Sequence, residues 1–173
     1  MSELLLFHHA QGLTPGVTDL ADRLRADGHT VHTPDLYEGR TFSTLEEGVA
    51  HLQAVGMDTL IERGVRAADG LPDALVYAGI SLGVGPAQKL AQTRLRAGRP
   101  MCRCQVHGKD ADPEFANEWD LPAARSLVDA AAEGELFLYP GDQHLFMDSS
   151  LAAFDPEATD LLVQRVRDLL GTR

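Results

Sequence analysis

Cysteine is scarce: the 173 residues hold two, Cys102 and Cys104, too few for a fold built on disulfides. Spaced two apart in an apparent strand they share one face, where disulfide geometry does not join them, so they read as packing residues. Basic residues are in short supply, 15 Lys and Arg against 26 Asp and Glu, a formal net charge of −11. That balance repels phosphate backbones and anionic lipid heads and argues against nucleic acid or a membrane surface as partner. Solubility explains it sufficiently. No apolar run approaches the ~20 residues that cross a bilayer. The apolar stretch Leu4 to Phe7 is too short for a signal-peptide core and follows no basic residue, so the expected compartment is the cytoplasm. There is no internal repeat and no low-complexity tract. His8, His9, Cys102, Cys104 and His107 show no recognised ligand spacing, and no metal site is expected.

What is present is the composition of one globular domain, residues 1–173: 44% hydrophobic, 24% charged, with 16 Gly and 9 Pro. A chain of this length buries roughly 70% of the surface it exposes unfolded, enough for a core without cross-links. Along it, strands alternate with helices. Leu4 to His8 is an apolar run suited to a buried parallel strand, and Thr14-Pro15-Gly16 opens a helix that Gly28 stops. His29 to Thr33 is a weaker strand before the loop Asp35 to Arg40; Thr44 and Glu47 form a capping box, and the helical stretch behind them breaks near Gly56. Strands follow at Ala74 to Ala78, Met101 to Val106 and Glu135 to Tyr139, with helices after Gly83 and from Leu121 to Ala132. Asp155-Pro156-Glu157 marks the start of a last helix. Alternation of this kind implies right-handed crossovers and a doubly wound parallel sheet, with ligands bound beyond the carboxyl ends of the strands.

The loops at those ends hold the chemistry. Gly79-Ile80-Ser81-Leu82-Gly83 fits G-x-S-x-G between an apolar strand and a helix, where a nucleophile elbow belongs. Glycines flank the serine because so sharp a turn brings backbone too close for a Cβ. The Leu82 N–H and the helix N-terminus can stabilise an oxyanion. A serine also needs a base, and the base an orienting acid, in the order Ser, Asp, His. His107-Gly108-Lys109-Asp110-Ala111-Asp112-Pro113 follows the fourth strand and Tyr139-Pro140-Gly141-Asp142-Gln143-His144 the fifth, so the order is met. The competing readings are a plain helix N-cap for Ser81, a turn histidine for His144, and Asp110 in place of Asp112.

The first strand, Pro34-Asp35-Leu36-Tyr37, the elbow, the Asp112-Pro113 step and the segment Tyr139 to His144 together resemble the dienelactone hydrolase family of α/β-hydrolases over nearly the whole chain. The resemblance implies a compact three-layer sandwich with helices on both faces of a mostly parallel sheet. It implies Ser81 as nucleophile, His144 as base and Asp112 as acid, with an oxyanion hole from the Leu82 N–H and a backbone N–H at Ala10 or Gln11. His9, Tyr37, Arg40 and Phe146 are weaker candidates for the substrate pocket. No cofactor is required, and the expected partner is a small ester or lactone. The sequence leaves open a binding module that has kept the fold but not turnover, and acyl transfer by the same triad.

The departures are specific. The founding enzymes carry cysteine where Ser81 stands, glutamate at the position of His9, and an arginine soon after the catalytic histidine, where this chain reads Leu145-Phe146-Met147-Asp148. Dienelactone itself is therefore not the expected substrate. Arg40 could serve as an anionic handle, with a solvated surface arginine as the competing account. The chain is also short: Ala97-Gly98-Arg99-Pro100 runs directly into Met101, so one strand-helix unit near 93–101 is expected to be missing, leaving five strands in the order 2-1-3-4-5.

Overall fold

In the computed structural model, which describes residues 1–94 and 103–171, the expected alternation of strands and helices is observed. The chain divides into two compact units, Met1–Leu95 with Asp148–Ser150, and Arg96–Met147 with Leu151–Arg173. The expected missing unit near 93–101, the start of the fourth strand at Met101 and the packing role of Cys102 fall wholly or mainly outside the described residues.

The first unit is organised by β1 (Glu3–Phe7), flanked in parallel by β2 (Thr30–His32) and β3 (Leu75–Gly79) in the order β2-β1-β3. A strand paired on both edges and covered on both faces has no solvent side, so its sequence runs apolar without alternation. Leu4, Leu5, Leu6 and Phe7 are accordingly all buried, and each contributes on the order of 2 kcal/mol by leaving water. Helix α1 (Pro15–Arg25) joins β1 to β2; the Thr14 hydroxyl caps it by accepting the Val17 N–H. Helices α2 (Leu45–Val55) and α3 (Met57–Arg66) join β2 to β3, separated at Gly56, and the Thr44–Glu47 capping box forms in full. After β3 a single 3-10 turn, Ser81–Gly83, leads into α4 (Val84–Arg94), which packs on β1 and β3. Leu60 of α3 and Leu90 of α4 are completely buried in one cluster with Leu5, Phe7, Leu36 and Tyr37.

The second unit holds a parallel pair, β4 (Arg103–Lys109) and β5 (Glu133–Tyr139), in register from Arg103↔Glu133 to Lys109↔Tyr139. Helix α5 (Asp120–Ala130) makes the crossover, and α6 (Pro156–Gly171) follows β5. Asp155 Oδ1 accepts the Ala158 N–H at 3.0 Å, the cap that its sequence announces. The five strands are parallel and in the expected sequence order within each unit. They are hydrogen-bonded as sheets of three and two, and a β3-to-β4 ladder is not among the described pairings. Strand β4 runs to Lys109, three residues past the expected end, because its pairing with β5 continues to Tyr139. Among the described residues no helix is long and apolar enough to cross a membrane.

Candidate active site

Ser81 sits at the turn between β3 and α4 with a φ of 50°, one of two non-glycine residues in the left-handed region among the described residues. An L-residue held there costs roughly 1–2 kcal/mol, which persists only where the surroundings impose it. Here they are identifiable. A Cβ on Gly79 would lie 2.1 Å from the Gly83 carbonyl oxygen, and one on Gly83 would lie 2.5 Å from the Phe7 oxygen and 2.8 Å from that of His8. The Ile80 N–H donates to the Phe7 carbonyl at 3.0 Å, and the Gly83 N–H closes the turn onto the Ile80 carbonyl at 2.9 Å. Both glycines are thus obligatory, and the turn presents an exposed serine at the carboxyl end of β3, followed at once by Leu82 and the first turn of a helix.

The loop after β1 is built around two histidines, both with no exposed surface. His8 Nδ1 donates to the His9 carbonyl at 2.8 Å and Nε2 accepts the Leu36 N–H at 3.0 Å, and burial lowers its pKa below 6.5. His8 therefore ties the β1 loop to the Pro34-Asp35-Leu36-Tyr37 segment, whose own turn is held by the Asp35 carboxylate accepting the Tyr37 and Gly39 N–H groups. His9 Nδ1 accepts the Gln11 N–H at 3.1 Å, so the proton is on Nε2, which donates to Asp148 Oδ2 at 2.7 Å. Asp148, 1% exposed, also accepts from the Thr14 hydroxyl and from the Ser150 hydroxyl and N–H. Burial alone would raise its pKa; the hydrogen bonds from His9, Ser150 and Thr14 outweigh this and hold it at about 2.

This arrangement bears on several expected residues. Of the two backbone donors considered for an oxyanion hole, Gln11 gives its N–H to His9, which leaves Ala10 as the candidate beside Leu82. His9, expected at the substrate pocket, has both ring nitrogens engaged and no exposed surface, so it supports the loop. Tyr37 is 1% exposed; its ring meets those of His8, Phe42 and His51 edge-on, and its hydroxyl has no hydrogen-bond partner among the described residues. Burial pushes its pKa to about 12, so it stays neutral. Arg40 is exposed, which suits the solvated alternative. The sequence offered no sign of the His9–Asp148 pair, whose members are 139 positions apart.

In the second unit, Asp112 and His144 meet. The loops after β4 and β5 place Asp112 Oδ2 2.7 Å from His144 Nδ1; a carboxylate can only accept, so Nδ1 carries the proton and Nε2 is the nitrogen with basic character. The Asp112 side chain is 2% exposed, that of His144 20%, and the other Asp112 oxygen accepts the Glu114 N–H at 2.9 Å. Asp110, the competing acid, is exposed and accepts the Gly141 N–H instead. Phe146 is buried against Tyr139, its carbonyl accepting from Asp155 N–H and the Thr159 hydroxyl, so it is a packing residue. Lys109, 1% exposed, was not singled out by its sequence context; it bonds Asp155 Oδ2 at 2.5 Å and the Pro140 carbonyl at 2.8 Å. Among the described residues no group of three or more His, Cys, Asp or Glu is placed to hold a metal ion.

No family model and no curated protein matches the sequence. Solved structures do match in shape. A dienelactone hydrolase-like promiscuous phosphotriesterase from metagenomic libraries aligns with a TM-score of 0.75 at 15% identity, over 99% of this chain and 86% of that one. A Klebsiella pneumoniae protein provisionally described as a dienelactone hydrolase aligns at 0.67 and 15%, over 100% and 88%. The dienelactone hydrolase of Anabaena variabilis aligns at 0.59 and 18%, over 97% and 84%. With its parallel strands and its strained serine turn, the chain has the α/β-hydrolase fold in the form found in dienelactone hydrolase-like proteins.

Proposed function

We propose that the protein is a serine hydrolase acting on a small carboxylic ester or lactone. The observation that carries this is the conformation of Ser81. A serine that merely capped a helix would sit in extended backbone and accept an N–H bond; it would need neither a φ of 50° nor glycines on both sides. The hydrogen-bonded Asp112–His144 pair, of the type that activates a serine, supports the same reading.

In the proposed reaction Ser81 Oγ attacks the carbonyl carbon while His144 Nε2 takes the hydroxyl proton. Asp112 keeps the proton on Nδ1 and stabilises the imidazolium. The Leu82 and Ala10 N–H groups receive the oxyanion; such a donor is worth on the order of 10²–10³ in rate. His144 then returns its proton to the departing alkoxide, leaving Ser81 acylated. Water, deprotonated by the same imidazole, attacks the acyl carbon; the bond to Ser81 Oγ breaks, the acid leaves and the imidazolium returns its proton to Oγ. Hydrolysis should fade at acid pH, because a protonated imidazole accepts nothing. The metagenomic neighbour is a phosphotriesterase, so a phosphotriester belongs beside p-nitrophenyl esters in a first substrate panel.

A fluorophosphonate probe should label Ser81 in the wild type, and the label should vanish in Ser81→Ala. Ester hydrolysis should fall by at least about 10³-fold in His144→Ala. Folded protein that takes no label and hydrolyses esters equally with and without His144 would point to a binding module that has kept only the fold.

A further inference from the structure

Asp110 and Lys109 take no part in the chemistry proposed above, yet both bond to the segment that carries His144. We propose that Asp110 is a positioning residue which, with Lys109 beside it, holds the Pro140–His144 segment in register with the Asp112 loop so that imidazole and carboxylate meet. The proposal rests on the hydrolase reading for the use it gives that pair.

The β4–β5 ladder ends at the Lys109↔Tyr139 pair, and Pro140, with no N–H, cannot continue it. Beyond that point two loops would normally separate. Instead the Asp110 N–H donates to the Tyr139 carbonyl at 2.9 Å, and the Ala111 N–H to the Gly141 carbonyl at 3.0 Å. The Gly141 N–H, left without a ladder partner, donates to Asp110 Oδ1 at 3.0 Å. The Pro140 carbonyl accepts from the Lys109 ammonium, which also pairs with Asp155 at the start of α6. Gly141 is thus bonded through both its N–H and its carbonyl, three residues before His144, just as Asp110 stands two before Asp112. Asp110 is exposed and could have been one more solvated acid. Its carboxylate is instead aimed at a backbone N–H, a charge-assisted bond stronger than a neutral one.

The test replaces Asp110 and reads the enzyme in three ways: kcat and KM for a p-nitrophenyl ester, thermal stability, and the downfield proton NMR resonance of the His144 Nδ1–H. Asp110→Ala should lower kcat by about 10- to 100-fold with little change in KM, the size expected when a reacting group drifts by an ångström or less. The resonance should broaden or shift upfield while the melting temperature barely moves. Asp110→Lys, equally solvated but unable to accept, should behave as Asp110→Ala does. Asp110→Asn, which keeps an oxygen acceptor, should restore both kcat and the resonance. Wild-type kcat with an unchanged resonance in Asp110→Ala overturns the proposal, as does an Asp110→Asn enzyme as impaired as the alanine variant. Wild-type protein lacking His144-dependent turnover would overturn the hydrolase reading alone, and the resonance would still decide whether Asp110 positions His144.

Discussion

Ser81 pays for its exposure with a backbone conformation that suits glycine better than any residue with a Cβ. Stability and chemistry therefore oppose each other at this one position. Ser81→Ala and Ser81→Gly should both abolish turnover, but the glycine variant should be the more stable of the two by about 1 kcal/mol, since alanine keeps the left-handed strain and glycine sheds it. In a chain of this size that corresponds to about 3 °C in melting temperature. An alanine variant as stable as the glycine variant would show the turn to be unstrained. The acid was harder to read than the nucleophile. Asp110 and Asp112 lie two apart after the same strand, and spacing alone favours neither. Their hydrogen bonds separate them: one side chain turns to His144, the other to the Gly141 N–H.

Strands and helices were legible where one local rule dominates: the unbroken apolar run of β1, the capping box of α2, the Asp155-Pro156 start of α6. They were less legible where pairing decides, as at the end of β4. The face of β4 and β5 beneath α6 is one such case. There His107 Nδ1 bonds the Tyr139 hydroxyl at 2.8 Å and Nε2 faces Gln105, the ring stacks with Phe137 and Tyr139, and the Arg165 guanidinium lies 4.1 Å from the Phe137 ring. Burial, with a smaller contribution from Arg165, lowers the His107 pKa from 6.5 to about 4. The unfolded chain thus takes up a proton that the folded chain refuses, and stability drains away as pH falls from 6.5 toward 4. His107→Phe, which keeps the stacking and discards the titration, should flatten that decline. Urea unfolding at about pH 7 and about pH 4.5 measures it; parallel acid losses in the two proteins would remove His107 as the cause.

At the scale of the whole molecule, the later chain contributes three residues to the first unit, Asp148–Ser150, and Asp148 anchors them through His9 and Thr14. Its pKa of about 2, against an ordinary 3.8, corresponds to about 2 kcal/mol of stability, fully present above about pH 5 and lost as pH falls toward 2. The stability gap between wild type and Asp148→Asn should therefore narrow by roughly 1 kcal/mol between pH 6 and pH 3 in urea unfolding; a gap indifferent to pH would remove the ionised carboxylate from the account. No sequence pattern announced this anchor, because residues 139 positions apart meet only through the completed fold. Of the two, only His9 had stood out, where the founding dienelactone hydrolases have glutamate; Asp148 was simply the last residue of the stretch Leu145 to Asp148 that stands in place of their arginine. Since the two are buried and bond to each other, removing either leaves its partner short of that bond, so the stability losses of His9→Ala and Asp148→Ala should not add: the double variant should lose less than the sum of the two single variants.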